Sequence, residues 1–520
     1  MKRSRSLYLA LITLLCAAPA LFAANQPGPK RPAKTPPVPK ERTSVTHATV
    51  TIDGRQIPYT ATAGTLLLYN KKHQATASVF YIAYTEDGPN DANRPITFSY
   101  NGGPGGASAL VDIGGFGPRR VDWPAPGQID TQTPPYRLAN NPYSIFNSTD
   151  LVFVDAVGTG YSRIVGKGTP KMFFGISADG AAFAQFITRY VTKFNRWNSP
   201  KFLLGESYGT TRNAVLSYDL VSQGVYLNGV IMCSTVLDFE TLEFGPGNDL
   251  PYIFYLPTYA AVAWYHNRVN PRPASLPQLI SQVKAFASGP YLDALFAGAA
   301  LPAAQKQKIA QQLQDYTGVP VSTWLKANLR VSLSLYRRRM MGATGPMTGR
   351  YDGRFLTPEL QPLLPFSGRG ASGATTTAIW GALTATFDNY VRNTLHFKDD
   401  HIYHQLSSVI RHWKFTYTPP LTAMGGRGTP NVAPALSRAM NNDPNMQVMF
   451  NNGYFDMATP FFATEYTVEH MDLPNSLRSH IHFYFYPVGH MLYLNPKAMP
   501  MLQKNIDSFI QQATSRPTAG

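Results

Sequence analysis

Cysteine is almost absent from this chain of 520 residues, with Cys16 and Cys233 its two examples. Cys16 lies in a leader-like N-terminus, so a processed chain keeps one thiol and forms no internal disulfide. A chain of this size without staples must rely on its core. Charge is also scarce, at 15%, and acids are the scarcer sign, with 30 Asp and Glu against 46 Lys and Arg. This balance excludes an acidic disordered chain or a coiled coil. Beyond the N-terminus no run reaches ~18 uninterrupted apolar residues, so no membrane span is expected once the leader is removed. No internal repeat is present.

What is present is globular: 44% apolar residues, 12% aromatics and 43 prolines. The length allows a large catalytic domain plus an insertion. Of the net charge of +16, three fall in the leader and four in the segment after it, leaving a diffuse surplus of about nine. The sharpest basic cluster, Arg337, Arg338 and Arg339, reads as a solvated helix face. No basic stripe interleaved with aromatics is found, so no nucleic-acid partner is expected.

Residues 1–24 read as a secretory signal. Lys2, Arg3 and Arg5 precede the apolar run Leu7 to Ala18, and Ala20, Ala23 and Ala24 offer cleavage sites. Leu15 is too bulky for a lipoprotein site at Cys16. The chain is therefore expected to be exported, to a bacterial periplasm or beyond. Residues 25–45, rich in Pro and Lys, read as an extended, disordered spacer.

From His47 the pattern turns strand-like. HATVTI, YTATAGTLLLY and ASVFYIAYT alternate polar and apolar positions, as antiparallel strands with one wet face do. PITFSYNGG, DLVFVDAVGTG, KFLLGESYG, GVIMCST and VMFNNG are unbroken apolar runs, each ending in a turn. Such runs, with helices fitting at 175–196 and 209–223, predict a mostly parallel sheet covered by helices on both faces. Chemistry belongs at the carboxyl ends of its strands. The strand rhythm stops after Ser234, returns at 447–452 and 481–487, and a closing helix follows near 497–513. Residues 46–240 and 441–515 thus form the sheet domain, and 241–440 an inserted, mainly helical lid with a Gly-rich irregular stretch at 342–375.

Gly205-Glu206-Ser207-Tyr208-Gly209 follows the strand Phe202-Leu203-Leu204 and precedes a helix-compatible segment. Small flanking residues let the chain turn sharply and lift the serine hydroxyl towards a cleft. A serine nucleophile needs a base, and the base an orienting acid. Asp456 follows the strand VMFNNG and His490 follows IHFYFYPVG, both in loops at strand ends. Ser207 as nucleophile, Asp456 as orienting acid and His490 as base form the expected triad. The oxyanion needs preorganised N–H donors. The turn Asn101-Gly102-Gly103-Pro104-Gly105-Gly106 ends the strand PITFSY, and the Gly103 and Tyr208 amides are the expected pair. No GK[ST] follows this turn, which argues against a phosphate loop.

FSYNGGPGGASAL, VFVDAVGTGYS, FLLGESYG, NNGYFDMATP and YPVGHMLYLNP together resemble the successive signature blocks of serine carboxypeptidases, in family order. The resemblance covers the catalytic domain and matches the lid only loosely. It implies an α/β-hydrolase fold and an acyl-enzyme peptidase that releases C-terminal residues and requires neither cofactor nor metal. It implies the triad and oxyanion roles given above, and that Asn101 and Glu206 bind the substrate's terminal carboxylate. A protonated Glu206 would donate to that carboxylate, which favours acidic pH. Three positions depart from the family: Ser99 stands where Trp is usual, Gly106 where Cys is usual, and Gly115 where a second carboxylate-binding acid is usual. Proline iminopeptidase-like, esterase or acyltransferase activity, and a binding protein without turnover, are the alternatives.

The remaining histidines, His401, His404, His412, His480 and His482, lack a ligand set at metal-binding spacing. Asp155 is expected to shape the sheet edge and pocket wall. The stretch Gly349 to Arg354 in the lid has two readings, one facing the cleft and one as a solvated loop, and the solvated loop is the safer.

Overall fold

The structure is a computed structural model, and it describes residues 36–88, 93–123, 133–357, 373–420 and 428–515. The expected leader (1–24) and residues 25–35 of the expected spacer lie outside the described residues, as do 358–372 of the Gly-rich stretch. No described helix is long and apolar enough to cross a membrane.

Among the described residues twelve strands are formed: β1 (Thr43–Ile52), β2 (Arg55–Tyr69), β3 (Ala75–Glu86), β4 (Ile96–Tyr100), β5 (Arg119–Val121), β6 (Leu138–Asn140), β7 (Asp150–Val154), β8 (Arg163–Ile164), β9 (Lys201–Glu206), β10 (Gly229–Cys233), β11 (Gln447–Gly453) and β12 (Ile481–Tyr486). Ten of them build one sheet in the order β1-β2-β3-β7-β4-β9-β10-β11-β12, with β8 beside β3. From β7 to β12 every pairing is parallel, whereas β1, β2, β3 and β8 add antiparallel partners. β5 and β6 pair separately.

The parallel strands are apolar throughout because both faces are covered, and successive side chains divide between two cores. Phe202, Leu204, Ile231 and Met449 pack with Leu502, Ile506 and Phe509 of the closing helix Met499–Thr514. Leu203, Val230, Val448 and Phe450 pack on the other face with residues of the helices Ile176–Lys193, Tyr208–Ser222 and Ala433–Asn442. These boundaries follow the expected ones within a few residues. The topology, with a helix entered directly from the central strand β9, is the α/β-hydrolase fold.

The spacer yields to strand earlier than its composition implies, because β1 begins at Thr43. The polar alternation of an edge strand carries little apolar signal, and pairing fixes it instead: Thr43 to Ile52 register against Gly64 to Arg55. Glu41 also accepts from the Leu67 amide at 2.9 Å.

Among the described residues, the helices between β10 and β11 pack in different places. Helices between Leu250–Tyr265 and Leu333–Arg339 build a third core with Phe455, Met457 and Phe461. The helix Gly373–Asn389 instead packs Ile379, Leu383 and Phe387 onto the core of the sheet domain. The basic cluster is not wholly solvated. Arg337 is buried and donates to the Thr348 carbonyl at 2.8 Å, because its side of the helix faces the loop that follows.

Candidate active site

The carboxyl ends of the parallel strands bring distant segments together. β4 leads into Asn101, β9 ends at Glu206, β11 precedes Asp456 and β12 precedes His490. Ser207 sits between β9 and the helix Tyr208–Ser222 with φ +59° and ψ −128°, a strained conformation for a non-glycine residue. The strain is imposed by neighbours: the Ser207 amide donates to the Cys233 carbonyl at 2.9 Å, and its carbonyl accepts from Thr210 Oγ1 at 2.7 Å. The hydroxyl makes no capping bond to its helix.

His490 is 2% exposed and gripped through its main chain. Its amide donates to the Tyr351 carbonyl at 2.6 Å, and its carbonyl accepts from Ser234 Oγ at 2.6 Å. Its ring stacks on Tyr351 at a centroid distance of 5.2 Å. Nδ1 lies 2.8 Å from Asp456 Oδ2. Facing an acceptor-only carboxylate, Nδ1 carries the proton, and Nε2 presents its lone pair.

Asp456 is fully buried, and four donors satisfy it. The amides of Ala458 and Thr459 reach Oδ1 at 2.7 and 3.0 Å, while Thr459 Oγ1 joins His490 at Oδ2, at 2.7 Å. Burial opposes an imidazolium at position 490. The Asp456 charge and hydrogen bond more than offset it, so the pKa of His490 lies above the ordinary histidine value. Ser207 and His490 line one cavity of about 130 Å³, together with Asn101, Gly103, Glu206, Tyr351, Trp380 and Leu406. No hydrogen bond joins Ser207 to His490 in this state. Such contacts commonly tighten only when substrate arrives.

The turn Asn101 to Gly106, the expected oxyanion loop, lies against the start of the helix. A β-carbon at Gly102 would collide with the Tyr208 amide and the Glu206 carbonyl. Gly103, at φ +109°, turns the loop in a region that favours glycine. Tyr208 opens its helix, where amides have no intrahelical acceptor. The loop is anchored from below by Arg212, which is buried, paired with Asp179 at 2.7 Å, and bonded to the Asn101 carbonyl at 2.9 Å.

Asn101 and Glu206 meet at the cavity floor, where Asn101 Nδ2 donates to Glu206 Oε1 at 3.1 Å. Burial raises the Glu206 pKa, while His490, Tyr493 and Asn101 oppose that rise. Asn101, Gly103, Glu206, Ser207 and His490 are therefore neighbours around one cavity, with Asp456 behind His490, while Tyr208 follows Ser207 with its ring buried in the core and does not line the cavity. Asp155 is buried and bonded to the Ser108 amide at 2.8 Å and Tyr403 Oη at 3.0 Å, and it does not line the cavity.

The Gly349 to Arg354 stretch is not a solvated loop. Asp352 and Arg354 are buried and paired with each other, and Tyr351 lines the cavity beside His490. Its glycines and charges suggest solvent, but its partners come from chain more than 100 residues away, such as the Pro487 carbonyl bonded to Arg354. Thr459, Ser234 and Tyr493 are further supporting residues that the motifs did not single out. Thr459, three positions beyond Asp456, was the most accessible of them. His401 bonds Asp399 at 2.6 Å and His482 bonds Gln447 at 3.0 Å. Among the described residues no cluster of three His, Cys, Asp or Glu could hold a metal ion.

Residues 57–240 match the serine carboxypeptidase family, a match that includes the turn Asn101 to Gly106 and Ser207 and spans well under half of the chain. No curated protein matches the chain. Among solved structures, a proline iminopeptidase of Mycobacterium smegmatis is 12% identical, covering 90% of this chain and 99% of its own at a TM-score of 0.37. A putative aryl esterase from Burkholderia cenocepacia is 13% identical, covering 91% and 100% at 0.33. The peroxisomal α/β-hydrolase Lpx1 of Saccharomyces cerevisiae is 9% identical, covering 92% and 93% at 0.35. The family match, taken with the topology of the sheet, supports a hydrolase.

Proposed function

We propose that this chain is an exported serine-type carboxypeptidase. The observation that carries the reading is a strained Ser207 sharing one cavity with an Asp456-bonded His490, above a floor made of Asn101 and Glu206. In this reading Ser207 Oγ attacks the scissile carbonyl carbon while His490 Nε2 takes its proton. The Gly103 and Tyr208 amides donate to the oxyanion. On collapse the C–N bond breaks and His490 returns the proton to the leaving amine. Water, activated by the same imidazole, then hydrolyses the acyl-enzyme. Asp456 holds the tautomer and stabilises the imidazolium.

The C-terminal preference rests on the floor. A buried Glu206 that keeps its proton donates, with Asn101, to a terminal carboxylate; an ionised one repels it. Acidic conditions therefore favour substrate binding. The leader-like residues 1–24 support export.

Turnover of a peptide blocked at one end tests the proposal. Loss of cleavage on amidating the C-terminus is expected. Loss on acetylating the N-terminus, with the amide still cleaved, would point instead to removal of residues from the amino end.

A further inference from the structure

Gly115 has no side chain, and the space its β-carbon would occupy is filled by the Tyr493 ring, whose Cγ lies 2.6 Å from that position. The ring is completely buried. Its hydroxyl faces the Glu206 carboxyl and the Asn101 amide at the cavity floor without reaching hydrogen-bond geometry to either. Glu206 Oε1 takes the Asn101 amide. Among the described residues, Glu206 Oε2 and the Tyr493 hydroxyl are buried with no hydrogen-bond partner. Leaving two buried polar atoms of interacting residues unpaired is costly.

We propose that Tyr493 is a positioning residue for Glu206: its hydroxyl donates to the ionised carboxylate and so sets the pH at which the cavity floor releases a terminal carboxylate. The proposal rests on the reading of Glu206 as the carboxylate-binding group. When Glu206 is protonated, its own O–H serves the substrate. When that proton leaves to solvent, the Tyr493 O–H turns to Oε2. The titratable groups facing Glu206 are His490 from the loop after β12, Asp456 from the loop after β11, Cys233 at the end of β10, and Tyr493 itself. Burial places both the Cys233 thiol and the Tyr493 phenol well above their ordinary pKa values, so neither ionises in the working range. Tyr493 is thus a donor at every relevant pH.

Tyr493→Phe keeps the ring beside Gly115 and removes only the hydroxyl. The test is an infrared pH titration of the protonated Glu206 carbonyl stretch, identified by its loss in Glu206→Gln. The midpoint should rise in Tyr493→Phe by about one pH unit, the size expected on removing a hydrogen bond to a charged group. Gly115→Ala, which forces the ring aside, should move it in the same direction. KM for a peptide with a free C-terminus should then stay low to a correspondingly higher pH, while a side chain that only filled space would leave the profile where it was. An unchanged or lowered midpoint in Tyr493→Phe overturns the proposal. A raised midpoint, in an enzyme whose KM for free C-termini does not vary with pH, keeps the Tyr493–Glu206 coupling and removes the carboxylate role of Glu206 instead.

Discussion

The His490 amide donates to the Tyr351 carbonyl at 2.6 Å, so the loop around Tyr351 holds the backbone that carries the imidazole. That loop is held in turn by the ion pair of Asp352 and Arg354, both buried. Asp352→Ala leaves the Arg354 guanidinium buried and uncompensated. The expected loss is about 3–5 kcal/mol, read from urea unfolding. Activity should fall with it, because His490 loses its backbone partner. A variant as stable as the parent would separate the loop from the site.

Asp456→Asn tests the orienting role without changing shape. The amide can no longer hold Nδ1–H in place, and the tautomer with Nε2 free is no longer favoured. By analogy with other triads kcat should drop about 10⁴-fold with near-UV circular dichroism unchanged.

The site contains two pH limbs of opposite sign. His490 must be neutral to act as base, and its pKa is raised, so kcat should climb as pH rises through that value. In the proposed reading Glu206 binds a carboxylate when protonated, and burial raises its pKa, so KM for a free C-terminus should also climb with pH. The ratio kcat/KM is therefore bell-shaped for such peptides. A neutral ester substrate should show only the rising limb, and Glu206→Gln should flatten KM for the peptide. Identical profiles for the two substrates would contradict the assignment.

Gly102 fixes the distance between the proposed oxyanion loop and the helix that opens at Tyr208, because a methyl group there collides with the Tyr208 amide. Gly102→Ala should part the two donors. One lost oxyanion donor costs about 10²–10³-fold in kcat, and rates measured on an activated ester should fall by that amount while KM changes little.

The strands and the positions of Ser207 and His490 at their ends were readable because each signal is local. An apolar run such as Lys201–Glu206 is followed at once by its turn and by Ser207, and the same holds for β12 and His490. The helix Gly373–Asn389 was not readable. Its Thr- and Gly-rich sequence has weak helix propensity, and packing of Ile379, Leu383 and Phe387 fixes it instead. Tyr351, Tyr493 and Arg212 were missed for a related reason. Each matters through a contact whose partner lies far along the chain or in a motif that gives no hint of it, as when the absent side chain at Gly115 makes room for a ring nearly 400 residues later.

The most direct test is covalent: treat the folded chain with a fluorophosphonate and map the adduct by peptide mass. A single adduct on Ser207 is expected, absent from Ser207→Ala and formed far more slowly in His490→Ala. A folded chain that takes up no label, or takes it elsewhere, would contradict the account.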